Sequence, residues 1–425
     1  MYKTKIKIFL AAGLVSLSYL SLAQVSKSPF TSRGIGDINN LSLAHNQGMG
    51  GVGLSNGSYW YLNNMNPALL PNNTLTVFGA GLVMERRTLS NNSTKETNGG
   101  GSLGYLATAF PVKPGRWTTS VGLSPFSTVD YSFTFEEQVT DTVFTDITEA
   151  GSGGFSQVYW ANGVRLNDNF SVGVKATYLF SSIETSFSNQ IKSRNSDDPV
   201  NLQPTVLDRT SVSDFLFQGS FAFKKDSIFN NKIRFNAGFT YDFASEVNAN
   251  QLKSTELQLD GAPITNDTLS SNENGSIYLP KAFGGGISFN NGIKWAVGLD
   301  ATYRPWSEYK NFEGVNEGLE DAYTVALGGE YTPDPSSVSS YLKRVTYRLG
   351  LSYENTPYVI DGNQVKDFGI NFGWSLPVSR FSSLDMAFKY GQRGKISETR
   401  LDEEYFRFTL GVNFNDQWFI KRKYD

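Results

Sequence analysis

The 425-residue sequence has no cysteine and a single histidine, His45. Without cysteine there is no disulfide framework, no thiolate nucleophile and no Cys-ligated metal. With one histidine, a Ser-His-Asp triad or a His-rich zinc site has nothing to build on. His45 itself lies in an Asn/Gly-rich stretch and is expected to be a solvated or capping residue. Charge of one sign is also missing. Lys+Arg is 37 against Asp+Glu 40, so no basic field points to nucleic acid and no acidic field to a basic partner. Long apolar runs are confined to the N-terminus. Elsewhere no window reaches the ~18 apolar residues of a membrane-spanning helix. A closed barrel remains open, because its strands hide their apolar signal in alternation.

Aromatic residues and glycine are abundant, with 31 Phe, 21 Tyr and 41 Gly. This composition favours strands. The N-terminus reads as a targeting segment. Lys3, Lys5 and Lys7 precede the apolar run IFLAAGLVSLSYLSLA, which ends in Ser21-Leu22-Ala23. That pattern predicts a signal peptide over residues 1–23, cleaved before Gln24.

Period-2 alternation then dominates the chain. In FRFTLGVNFN, Phe406, Phe408, Leu410, Val412 and Phe414 share one face. Arg407, Thr409, Gly411, Asn413 and Asn415 share the other. IKWAVGLDATYR, VTYRLGLSYE, IRFNAGFTYDF and FSVGVKATYLF behave alike. The strands exceed the ~5–6 residues usual in soluble sheets. Long polar connections near 86–100, 136–154, 188–208, 246–275, 307–320, 356–365 and 391–402 alternate with tight turns near 111–116, 166–169, 225–231, 290–292 and 377–381. Counting hairpins gives about fourteen strands, an all-β antiparallel transmembrane barrel with external loops and short periplasmic turns. Strand 3 contains Ser124-Pro125, which must break its ladder. The region 246–275 has room for an extra hairpin above the membrane. Trp117, Tyr131, Tyr278, Trp306, Tyr331 and Tyr358 are candidates for interfacial girdles. The inward face mixes charges such as Arg165, Lys175, Arg234, Asp242, Asp300, Arg304, Glu330, Arg344, Arg348, Glu354 and Arg407. Single buried charges are costly, so these are expected to pair across strands, brace a plug or touch water.

Residues 24–73 do not alternate. Their apolar and aromatic content, Met49, Val52, Leu54, Tyr59, Trp60, Tyr61, Met65 and Leu69, makes dangling in water costly. Packing inside the barrel is cheaper, since irregular backbone at membrane depth must be buried in protein or line water. A short helix is expected near 40–47. The stretch NNMNPALL, residues 63–70, then closes this plug before strand 1. The expected organisation is signal peptide 1–23, hatch 24–73, barrel 74–415 and periplasmic tail 416–425.

The stretch GMGGVGLSNGSYWYLNNMNPALL resembles the N-terminal hatch of the FadL-type outer-membrane transporters of hydrophobic compounds. The Pro-interrupted third strand and YLPKAFGGGISF are similar to features of the same family. The resemblance implies a hatch and ligand path at Asn66, Pro67, Ala68 and Leu69. It also implies a kink at Ser124 and Pro125 that opens a lateral gap in the wall. SPFTSRGIGDINN and DQWFIKRKYD look like FadL-like barrels of the Bacteroidota, some of which are accessory or plug barrels of the type IX secretion translocon. Two functions therefore stand at this point. One is a monomeric outer-membrane channel for passive, hatch-gated uptake of a fatty-acid-like ligand. The other is a non-transporting accessory barrel partnered by secretion-system proteins. No nucleophile–base pair stands out, so no enzyme, cofactor or metal is expected. The paired acids Asp197-Asp198, Glu136-Glu137 and Glu403-Glu404 read as solvated surface, with a loop calcium site as the sharper alternative.

Overall fold

The computed structural model describes residues 26–417 except 40, 142, 194–201, 229–232, 260–261, 293 and 380. The signal peptide, Asp197-Asp198 and all but the start of the expected tail lie outside the described residues. The strands close into a 14-stranded antiparallel barrel. β1 is Thr76–Ser90, β2 Lys95–Lys113 and β3 Trp117–Pro125 continuing as Ser127–Gln138. β4 is Val143–Gly153 and Ser156–Arg165, β5 Phe170–Ser193 and β6 Leu202–Ile228. β7 is Ile233–Asp242 and Ser245–Leu259, and β8 is Ala262–Leu279 and Ala282–Asn290. β9 is Trp295–Arg304, β10 Ala322–Tyr331, β11 Thr346–Ile360, β12 Asn363–Pro377, β13 Ser382–Gly394 and β14 Asp402–Asp416. β14 pairs with β1 from Asp402–Ser90 to Asp416–Thr76, which closes the ring.

Alternation sets the two faces. Phe406, Val412 and Phe414 of β14 are exposed on the outside, while Tyr405, Thr409 and Asn413 are buried within. Val297 and Leu299 face out and Ala296 and Asp300 face in, as the pattern of β9 requires. Of the aromatic residues expected in girdles, Trp117 and Tyr331 are exposed, but Tyr131, Trp306 and Tyr358 are buried. Trp306 and Tyr358 turn inward to fill the core described below.

Most segments expected as long loops are strand. β5 runs 24 residues and β6 runs 27, well past the tight turns. The stretch 246–275 forms the far halves of β7 and β8, paired as a hairpin from Ser245–Leu279 to Leu259–Ala262. Near the barrel these extensions still bury Val212, Val247, Ala249 and Ile277 on one face, but farther out, as from Ala262 along β8, both faces are wet and the sequence does not alternate. The loop over 307–320 is irregular as expected, opened by a 3-10 turn at Trp306–Glu308.

β3, β4, β7 and β8 break at Phe126, Gly154-Phe155, Phe243-Ala244 and Pro280-Lys281. β5 bends nearby, where Ser181 takes a positive φ of 96°. Past this crease the inner faces meet. Phe155, Leu179, Val212, Val247 and Ile277 share one buried cluster with Trp306, Tyr309 and Leu319 of the β9–β10 loop, with Tyr358 and Val365 of β11 and β12, and with Phe30 and Ile35 of the N-terminal segment. One apolar core thus joins opposite walls and covers the barrel at its loop end.

Candidate functional site

The N-terminal segment packs along the inside of the wall. A four-residue helix, α1 (Ala44–Gln47), is followed by irregular chain and a 3-10 turn at Pro67–Asn72. The wall receives it through missing side chains. A Cβ on Gly238 of β7 would stand 1.8 Å from the Leu54 carbonyl oxygen, and one on Gly328 of β10 would stand 2.0 Å from that of Met49. Only glycine permits this approach.

Polar anchors fix the segment. The Asp300 carboxylate of β9 accepts from the N–H groups of Gly53 (2.6 Å) and Leu54 (2.7 Å). The Asn66 side chain donates to the Leu54 carbonyl at 2.7 Å and accepts from Ala68 N–H at 3.0 Å, capping the 3-10 turn. Asn63 accepts from the N–H groups of Met65 and Asn66 and donates to the Gly53 carbonyl. Such local Asn–backbone bonds replace the ladder that irregular chain lacks. Arg165 reaches Asn72 at 2.8 Å, so this wall cation braces the segment.

His45 corrects the expectation of a solvated residue. It is buried in α1 and stacked on Tyr61, ring centroids 4.5 Å apart. Arg348 lies over the other partner of that stack, 5.1 Å from the Tyr61 ring centroid. Burial, aided by the Arg348 charge, holds the imidazole well below its usual range. Arg348 pairs with Glu330 across strands at 3.0 Å. Arg344, expected on the inward face, is exposed in the β10–β11 turn, and Arg234 makes an exposed pair with Asp226.

The ladder between β2 and β3 stops at Leu106–Leu123. Beyond it, Ser124 and Pro125 stay paired only with Gln157 and Ser156 of β4, and after the break at Phe126 the segment Ser127–Gln138 bends away from β2. The protein's own residues 26–39 fill the interval. Asp37 and Ile38 pair with Thr128 and Ser127, Ser28 N–H donates to the Asp130 carbonyl, and Asn39 N–H donates to that of Phe126. On the β2 side, Ser26 donates to the Asn98 side chain at 2.6 Å, and Asn98 donates to the Lys27 carbonyl at 3.2 Å.

A charged cluster ties this inserted strand to the wall. Asp37 pairs with Arg393 of β13 at 2.7 Å and accepts from the Tyr358 hydroxyl at 3.2 Å. Arg393 also meets Asp367 of β12 at 3.1 Å, which Lys389 and the Tyr405 hydroxyl share. Arg87 of β1 pairs with Glu85 and Glu403, and Ser28 donates to Glu403 at 2.6 Å. Burial alone pushes the Asp37 carboxyl up, but Arg393 and Arg87 outweigh it and hold the group below its ordinary value. Glu403 is therefore not solvated surface, as its place beside Glu404 suggested; it is fully buried.

Two cavities among the described residues border this N-terminal segment. One, of about 240 Å³, lies beside the inserted strand and is lined by Asp37, Arg393, Glu354, Gly104, Ser124 and Pro125 among others. The second, of about 270 Å³, sits against β5–β9 and is lined by Phe126, Phe217, Phe243, Lys175, Leu54 and Met65 among others. Asn66, Pro67, Ala68 and Leu69 line neither cavity. They are buried against the wall, where Ala68 N–H also donates to Ser220 of β6. The structure thus places the two expected site groups apart. Among the described residues, no three acidic or histidine side chains converge as a metal cage.

The sequence profile of the BamG family matches residues 5–425. The chain belongs to the BamG family. No curated protein sequence matches it. Solved structures similar to this BamG-family barrel include the CymD monoaromatic hydrocarbon channel, 14% identical with a TM-score of 0.56, covering 90% of this chain and 99% of that one. A FadL homologue of Pseudomonas aeruginosa is 14% identical, TM-score 0.56, covering 88% and 98%. The toluene transporter TodX of P. putida is 14% identical, TM-score 0.55, covering 91% and 100%. At this identity the likeness shows that the BamG-family chain has the FadL-type barrel fold.

Strand alternation and strand length made the barrel legible. The charged cluster was missed in large part. Asp37, Glu85, Arg87, Asp367 and Arg393 each look ordinary in sequence, and no spacing rule joins Asp37 to a residue on β13.

Proposed function

We propose that this chain is an outer-membrane channel of a Gram-negative bacterium that admits a hydrophobic, fatty-acid-like small molecule, with residues 26–73 as its hatch. The carrying observation is the cavity between that segment and the wall, where Phe126, Phe217 and Phe243 accompany Lys175. An apolar lining with a few placed polar groups is what a small-molecule site requires. The printed names of similar structures, a hydrocarbon channel and a toluene transporter, support the same class. The Ser124-Pro125 break supports a lateral way out of the wall once residues 26–39 withdraw. The sequence ends SPFTSRGIGDINN and DQWFIKRKYD support a source in the Bacteroidota.

A specific observation favours a second reading. The apolar core at the loop end and the ion pairs on Asp37 suit a barrel kept shut, such as an accessory barrel of a type IX secretion translocon. Gentle detergent extraction from native outer membrane, followed by mass spectrometry of co-purifying lipids and proteins, separates the two. A stoichiometric fatty-acid-like ligand on a monomer is expected for the channel, together with loss of uptake control in Asn66→Ala. A secretion complex with no bound lipid would overturn the channel reading.

A further inference from the structure

The interval between β2 and β3 is filled by the protein's own chain. A second interval, between β6 and β7, is not. Their ladder runs to Gln218–Asp242 and resumes only at Val212–Ala249. What crosses in between is the Phe243 N–H to the Phe217 carbonyl (3.0 Å) and the Asn248 donors to the Asp214 carboxylate (3.0 and 2.8 Å). The register gains one residue on β7 across the interval, so the strand bulges there.

Phe217 and Phe243 flank this place. They are 57% and 51% exposed, yet both also line the 270 Å³ cavity, together with the inward Leu216 and Gln218. The cavity therefore reaches the wall where the ladder is missing. Lys175 of β5 lines the same cavity, is only 5% exposed, and has no hydrogen bond or ion pair with any described residue. The nearby carboxylate is already engaged. Asp242 pairs with Arg304 at 2.9 Å and accepts from the Gln218 amide at 2.7 Å. Lys175, Arg304 and Asp242 together carry one positive charge at their side of the cavity; the other acid in the lining, Glu354, lies among Asp367, Arg393 and Lys389. A buried cation without a partner is costly, and a charge-assisted bond to an anion offsets that cost.

We propose that the β6–β7 interval is a side port for a singly charged anionic amphiphile, with Lys175 holding the head and the apolar chain lying between Phe217 and Phe243. The ligand class rests on the uptake reading; the port and the head-binding residue go beyond it. Lys175 here is a binding residue, and Phe217 and Phe243 are the jambs of the port.

The test uses the full-length barrel in neutral phosphatidylcholine vesicles. The probes are a photoactivatable palmitic acid and the matching uncharged alcohol, with adducts mapped by mass spectrometry. Adducts of both probes are expected on residues 213–217 and 243–248. Lys175→Gln is expected to lower labelling by the acid about tenfold, with the alcohol unchanged and Lys175→Arg close to wild type. Acid preloaded in the bilayer is expected to label the port better than acid added from water. Equal labelling of Lys175→Gln by the acid, adducts confined to β2 and β3, or labelling only from the aqueous side would each overturn the port. The wild-type adduct map stands by itself if Lys175→Gln fails to fold. Absence of saturable labelling anywhere inside the wild-type barrel would instead sink the uptake reading.

Discussion

Replacing Asp37 by Asn should loosen residues 26–39 without opening the barrel. The carboxylate joins the inserted strand to Arg393, and the two side chains are 19% and 8% exposed, so little solvent screening applies. The variant does not strand Arg393, which keeps Asp367 at 3.1 Å. The loss is therefore smaller than the ~3–5 kcal/mol of a buried ion pair broken to leave an orphan charge. A hydrogen-bonded charge contact of this kind contributes about 2 kcal/mol. That corresponds to roughly a 30-fold rise in local opening at about 1.4 kcal/mol per decade. Hydrogen exchange followed by mass spectrometry reads it directly. The Ser28 and Asn39 amides, bonded to β3, should exchange faster, while β1 and β14 stay protected. Rates within twofold of wild type would refute the assignment of Asp37 as the fastening group. The pH dependence has a defined sign. The folded Asp37 value lies below the ordinary aspartate value, so its contribution is complete above that ordinary value. It is lost as pH falls through the folded value. Asp37→Asn should lack this acid-dependent loosening.

Two further outcomes follow. Gly238→Ala places a methyl on the Leu54 carbonyl and should destabilise the seated segment by about 1–3 kcal/mol, read as a lower unfolding temperature in a heat-modifiability gel, whereas Gly362→Ala, with open space around it but a positive φ of 75°, tests turn strain alone. The sole histidine gives a single titration by NMR. His45 should remain neutral well below pH 6.5, and a charge change at its ordinary value would show that the α1–Tyr61 stack does not form.

The barrel was legible because each wall strand repeats one physical rule over many residues. Phe406 to Asn415 shows it, and the structure turns those residues out and in as the pattern demands. The fourteen-strand count followed from the turns. The lengths did not, because stretches such as Lys95–Gly101 carry polar residues on both faces and read as loop. Proline chemistry pointed to a break at Ser124-Pro125; the ladder to β2 ends just before it and the strand breaks just after it, at Phe126, but the occupant of the interval was not legible. Asp37 reveals its role only when β11, β13 and the inserted strand converge. His45 looked solvated because its neighbours in sequence are Asn and Gly, yet its neighbours in space are Tyr61 and Arg348. Lys175 was one inward charge among eleven, and only the fold separates it from those with partners.

The β1–β14 seam has a consequence for how the molecule comes into being. Its ladder joins the two ends of the barrel sequence, contacts that cost the most loop entropy and so form late. Residues 26–73 precede β1 and end up inside the ring that this seam completes. Laying them against β4–β12 before the last strand zips spares threading them past the core that covers the loop end or through the side interval that residues 26–39 close. Assembly order is thus written into the topology: the contents are gathered first, and the wall is closed around them.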